Sequence, residues 1–122
     1  IEEVAARLSA VEIMLRPGGR LLLRFPNAQS PFGLAPQFGD PTHKSALSRG
    51  VFEQLAAASS LDVERYAPAF RTLGRGLFRR LGRRSRYLAR DLVSGLFNAI
   101  YGASIPWDPV VALVLRKRER ER

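Results

Sequence analysis

Cysteine is absent from the 122 residues. That removes a disulfide framework, a thiolate-bound zinc or iron–sulfur cluster, and a cysteine nucleophile, and it fits a reducing compartment. Histidine occurs once, and the carboxylates are scattered with no ligand-spaced pair, so no metal site is expected. No apolar run is long enough to span a membrane, and no signal-peptide pattern is visible. No serine stands in a Gly-x-Ser-x-Gly elbow, which argues against Ser/His/Asp hydrolysis. No glycine-rich turn of the dinucleotide-binding kind follows a strand-like segment.

Acidic residues are missing from one long stretch. Between Arg65 and Arg90 there are nine arginines and no Asp or Glu, interleaved with Leu73, Leu77, Phe78, Leu81 and Tyr87. The net charge of +9 therefore resides in the second half: residues 1–64 carry six basic and seven acidic side chains, and residues 65–122 fourteen and four. Lysine is scarce, two against eighteen arginines, which reads mainly as the codon usage of a GC-rich genome. The plain reading of the stretch is a solvated basic face. The functional readings, in order, are an anionic membrane surface met by Arg71–Arg90, a phosphate-bearing substrate, and last a nucleic acid. The glycine interruptions make a poor recognition helix, and no RNA-binding signature is present.

What is there is enough for one small core. Residues 2–15 predict a helix with Val4, Leu8, Val11 and Leu15 on one stripe, stopped by Arg16-Pro17-Gly18-Gly19. Leu21–Phe25 is a run of consecutive apolar residues around Arg24, expected as a central strand covered on both faces. Ser48 is expected to cap a helix over 49–59 with Val51, Phe52, Leu55 and Ala58 or Ser59 inward. Residues 62–66 predict a strand, 71–83 a short basic helix, 86–101 a longer helix, and 110–115 another buried strand. In the longer helix Leu88, Leu92, Leu96 and Ile100 form one ridge, and Val93, Phe97 and Tyr101 the next. Residues 116–122 are expected as a solvated basic tail. This order is α/β. Three strands make a small sheet, Ile1 is not a methionine, and Glu2 opens a helix with no capping residue before it. The chain is therefore expected to be a piece of a longer protein, with partner strands N-terminal to it.

Between the strand and the second helix runs a loop of more than twenty residues, which holds the one imidazole, His43, close to Asp40, Thr42 and Lys44. Connections this long are usually binding loops or disorder. Asn27, directly after Pro26, can both donate and accept, and is equally a common turn residue. Of Phe25, Phe32 and Phe38, core packing is expected for at least two, with a pocket wall as the alternative.

"VEIMLRPGGRLLLRFPN" resembles the segment of class I S-adenosylmethionine-dependent methyltransferases in which a helix ends at a Pro-Gly-Gly turn and feeds the fifth strand. "FGDPTHKSALSRGVFEQLAAASSLDVERY" is similar to a bacterial subgroup often found with glycan biosynthesis, where Gly-Asp-x-Thr-His precedes a Ser- or Thr-capped helix and the sixth strand. "DPVVALVLRKR" looks like the last strand, antiparallel to the rest. The resemblance implies the C-terminal, substrate-side half of a Rossmann-like mixed sheet in a cytoplasmic transferase, peripheral to the inner membrane if the basic stretch binds lipid. It implies S-adenosyl-L-methionine as donor, bound mainly by residues absent from this chain, so that this chain alone is expected to be inactive. The implied acceptor is a hydroxyl on a sugar or small polar metabolite. His43 is then the candidate catalytic base, with Asp40 placed to orient its ring or hold it charged, and Asn27, Asp40 and Thr42 are candidate acceptor contacts. The alternatives are a loop histidine bonded to backbone and, for the whole chain, a non-catalytic binding module whose basic half is its working surface.

Overall fold

The computed structural model describes residues 1–119. In chain order it contains α1 (Glu2–Met14), β1 (Arg20–Pro26), a 3-10 turn (Pro31–Gly33), α2 (Leu34–Phe38), α3 (Arg49–Ala57), β2 (Leu61–Pro68), α4 (Leu77–Tyr101) and β3 (Val110–Lys117). The three strands form one sheet in the order β1-β3-β2, with β3 antiparallel to both neighbours. β1 and β2 are therefore parallel to each other and joined through α3.

The antiparallel pairing of β1 with β3 is as expected, with Leu21 opposite Leu115, Leu23 opposite Leu113 and Phe25 opposite Val111. The central position expected for β1 is corrected: β3 occupies the middle, and β1 is bonded on one side only. Its consecutive leucines do not mark two covered faces. Successive side chains alternate across the pleat, so Leu21, Leu23 and Phe25 join the core while Leu22 is 69% exposed.

The core lies on one face of the sheet. Val111, Leu113 and Leu115 of β3 pack with Phe25, Leu61, Leu8 of α1, and Phe52 and Ala56 of α3. Phe25 meets Phe52 at 5.0 Å and Tyr66 at 6.3 Å between ring centroids. The Ser48 hydroxyl caps α3 by accepting from the Val51 amide at 3.3 Å, as the sequence predicts; of the expected Ala58 or Ser59, Ser59 is half-buried and Ala58 exposed, and the buried alanine is Ala56. α1 ends where proline and glycine end it. The positive φ of Gly18 and the close approach of Gly19 to the Arg16 carbonyl make the turn.

Two expectations about the second half change. The basic helix and the longer helix are one, α4, which runs through Gly82 without a break. The expected tail begins inside β3: Arg116 and Lys117 are strand residues, and the Lys117 ammonium donates to the Glu12 and Leu15 carbonyls at 2.6 and 2.9 Å. That contact satisfies the C-terminal carbonyls of α1. Residues 120–122 of the expected tail lie outside the described residues.

Candidate functional site

β1 delivers the chain into the long loop at Pro26, and the loop is pinned at its start. Asn27 is fully buried. Its amide nitrogen donates to the carbonyls of Pro106 and Asp108 at 2.7 and 3.1 Å, and its oxygen accepts from the Gln29 amide and the Tyr66 hydroxyl, both at 3.2 Å. The buried Ser30 hydroxyl donates to the Trp107 carbonyl at 2.5 Å and accepts from the Phe32 amide. Gly33 lies so close to Asn27 that a Cβ would meet the Asn27 carbonyl oxygen at 2.0 Å. Asn27 thus holds the loop to the segment before β3. The structure places Asn27, expected as an acceptor contact, beneath the surface with its polar atoms bonded inside the fold, and it does not line the cleft described below.

The far part of the loop folds back over the end of β1. α2 turns the chain, and Gln37, 3% exposed, donates from its amide nitrogen to the carbonyls of His43 and Ser45 at 3.1 and 3.2 Å. Its oxygen is buried with no hydrogen-bond partner among the described residues. Asp40 accepts from the Thr42 amide at 2.9 Å and the Thr42 hydroxyl at 2.7 Å. These bonds, with a smaller contribution from His43, hold the Asp40 carboxyl below its ordinary value of 3.8. Asp40 therefore shapes the turn and does not grip the imidazole. The ring is oriented instead by the Pro36 carbonyl, 2.7 Å from Nδ1. A carbonyl only accepts, so Nδ1 carries the proton and Nε2 is the basic nitrogen.

Thr42 and His43 line an open cleft of about 580 Å³ together with Phe25 and Pro26 from the end of β1 and Glu3 and Arg7 from α1. Arg24 and Lys44 line it as well. Arg7 is paired with Glu3 at 2.5 Å, whereas Arg24 and Lys44 make no salt bridge among the described residues. The cleft thus has a mainly apolar lining with a net basic rim that carries the one imidazole. Phe25 borders it from the core, Phe32 is 38% exposed beneath the Arg90 guanidinium at 5.6 Å, and Phe38 is 75% exposed. Only Phe25 takes the core role expected of at least two of the three.

A second polar cluster was invisible in the sequence. Arg71 bridges Asp91 and the buried Asp108 through four charge-assisted bonds of 2.7 to 2.9 Å, and Arg90 approaches Asp108 at 3.7 Å. Arg71 lies over the Tyr87 ring at 5.2 Å. The bonds to Asp91 and Asp108 push the Arg71 pKa further above its ordinary value. Neither this cluster nor Gln37 had a signal in the sequence: a loop glutamine reads as solvated, and partners 37 residues apart are joined only by folding.

Comparison with protein-family models, with curated proteins and with solved structures returned no match for this chain.

Proposed function

We propose that this chain is the acceptor-side part of a class I methyltransferase acting on a hydroxyl of a small polar or sugar-like metabolite. The observation that carries the reading is the position and tautomer of His43: at the cleft over the carboxyl end of β1, with Nδ1 held by the Pro36 carbonyl and Nε2 left basic. Open α/β sheets bind ligands at the carboxyl ends of their strands, and a base of this kind can take the proton of an acceptor hydroxyl. Arg24 and Lys44 favour an acceptor that carries an anionic group. Two features of the sheet agree with the resemblance: β3 is antiparallel to both neighbours, and the free edge of β1 can receive a further strand.

The residues present do not fit the methyl donor. β1 runs into Pro26-Asn27 and β2 into Pro68-Ala69, and neither exit offers a glycine-rich turn or an acidic strand end. The role proposed for this chain is therefore restricted to holding the acceptor and accepting its proton at His43 Nε2.

The test has two arms. Calorimetry on the 122-residue chain should detect no tight binding of S-adenosylmethionine; micromolar or tighter binding overturns this placement of the donor site. In the natural protein that carries these residues, assayed for transfer of a labelled methyl group, His43→Ala should lower kcat by about 10²–10⁴-fold with little change in KM. His43→Gln, which keeps a hydrogen bond without basicity, should do nearly the same. Wild-type turnover in both variants across about pH 6–9, the range around a histidine's ordinary pKa, would leave His43 a loop residue bonded to backbone.

A further inference from the structure

α4 is turned the wrong way round for a helix of a water-facing domain. Its half-buried residues are Tyr87, Arg90, Ser94, Phe97 and Asn98, a set recurring at three and four positions and so one face. This polar and aromatic face grips the body. The Tyr87 hydroxyl donates to the Thr72 carbonyl at 2.9 Å, the Asn98 oxygen accepts from the Trp107 indole at 2.7 Å, and Phe97 stacks on Trp107 at 5.0 Å. The opposite face is apolar and open: Leu81 is 64% exposed, Leu88 61%, Leu92 68%, Leu96 61% and Ile100 66%. At 1.5 Å per residue that stripe is about 28 Å long. An exposed apolar stripe on this scale, interrupted only at Ser85, marks an interaction site.

The charge beside the stripe identifies the partner. Arg79, Arg80, Arg83, Arg84 and Arg86 are all exposed and make no salt bridge among the described residues. At 100° per residue Arg84 borders the apolar stripe on one side and Arg86 on the other. Long arginine stems in that position cover apolar surface while their heads reach a polar layer. The helix is not long and apolar enough to cross a membrane. A leucine-lined face with an arginine border, on a helix that does not cross, is the pattern of a helix lying in the headgroup region. Arginines there are attracted to anionic lipid.

We propose that α4 is a docking surface for an anionic bilayer, its apolar stripe facing the acyl chains and the bordering Arg84 and Arg86 at the phosphate level. A second copy of the chain is a poorer occupant, since pairing two stripes brings two sets of arginines together, and the acid at the stripe's edge, Asp91, is already paired with Arg71. Nucleic acid would use the arginines and leave the leucines in water. The proposal is independent of the methyl-transfer reading and survives its failure.

The test is co-sedimentation of the 122-residue chain with vesicles of phosphatidylcholine alone and with vesicles containing about one third phosphatidylglycerol. Binding is expected to the anionic vesicles only, and to weaken with salt. Two sets of variants at exposed positions, Leu88→Glu with Leu92→Glu, and Arg84→Gln with Arg86→Gln, should each lower it about tenfold or more. Circular dichroism checks that both remain folded. Equal binding to neutral vesicles, or no binding, overturns the proposal. So does unchanged binding by the leucine variant, which would mean charge attraction alone. A dimer in sedimentation velocity that Leu88→Glu dissociates would assign the stripe to a second copy instead.

Discussion

Asn27 shows how little a residue type says about its task. Its buried side chain answers two carbonyls, an amide and a hydroxyl from three separate parts of the chain. Removing it strands those groups away from water, where each unpaired polar group is costly. Asn27→Ala should therefore lower unfolding stability by about 3 kcal/mol, read from urea denaturation. Stability within about 0.5 kcal/mol of wild type, typical of a surface site, would show that the cluster is not a tie. His43 is the opposite case. Its ring is exposed, and its single ring hydrogen bond among the described residues fixes a tautomer rather than the fold.

At the level of elements, α3 and α4 have similar apolar ridges in the sequence and opposite fates. Phe52 of α3 is 2% exposed against the sheet, whereas Leu92 of α4 is 68% exposed. Phe52→Ala should cost about 3–5 kcal/mol, the range for emptying a core aromatic site. Leu92→Ala should cost less than about 1 kcal/mol, as for a surface change. Thermal or urea unfolding of the pair decides it. A large loss at Leu92 would mean that its side of α4 packs inside the fold. What attaches α4 is polar and aromatic: the Arg71–Asp91–Asp108 cluster, the Asn98–Trp107 bond and the Phe97–Trp107 stack. Such bonds set direction, which is how a helix can be held by its polar side.

For the whole molecule, the carboxylates that join distant segments set the response to pH. The Ser60 hydroxyl and amide hold the Glu12 carboxyl below its ordinary 4.5, tying α1 to the start of β2. Bonds from Arg71 hold Asp91 below 3.8. In the fold these groups bind protons less readily than in the unfolded chain. Their stabilisation is thus present above the ordinary carboxylate values and lost as pH falls through the folded ones. Tyr66 acts at the other end. Burial pushes its phenol up to about 12 from 10.0, so the unfolded chain ionises first and stability falls as pH rises through that interval. Urea midpoints across the pH scale should decline below about pH 4.5 and above about pH 10. In an absorbance titration, the phenol that ionises last should disappear in Tyr66→Phe. A flat acid limb would show that the Glu12 and Asp91 contacts do not persist in solution.

The sequence by itself determined the local elements. The Pro-Gly-Gly stop after α1, the Ser48 cap and the apolar period of α3 are decided by residues within a turn of one another. The loop's length and the place of its histidine were equally plain, because counting needs no partners. Only the tertiary structure decided which strand is central, because consecutive leucines say nothing about what pairs at each edge, and β3 arrives from 84 residues after the end of β1. Likewise only folding buried Asn27 and left Leu92 outside: amphipathicity defines two faces of a helix, and the contacts made elsewhere select the one that turns inward.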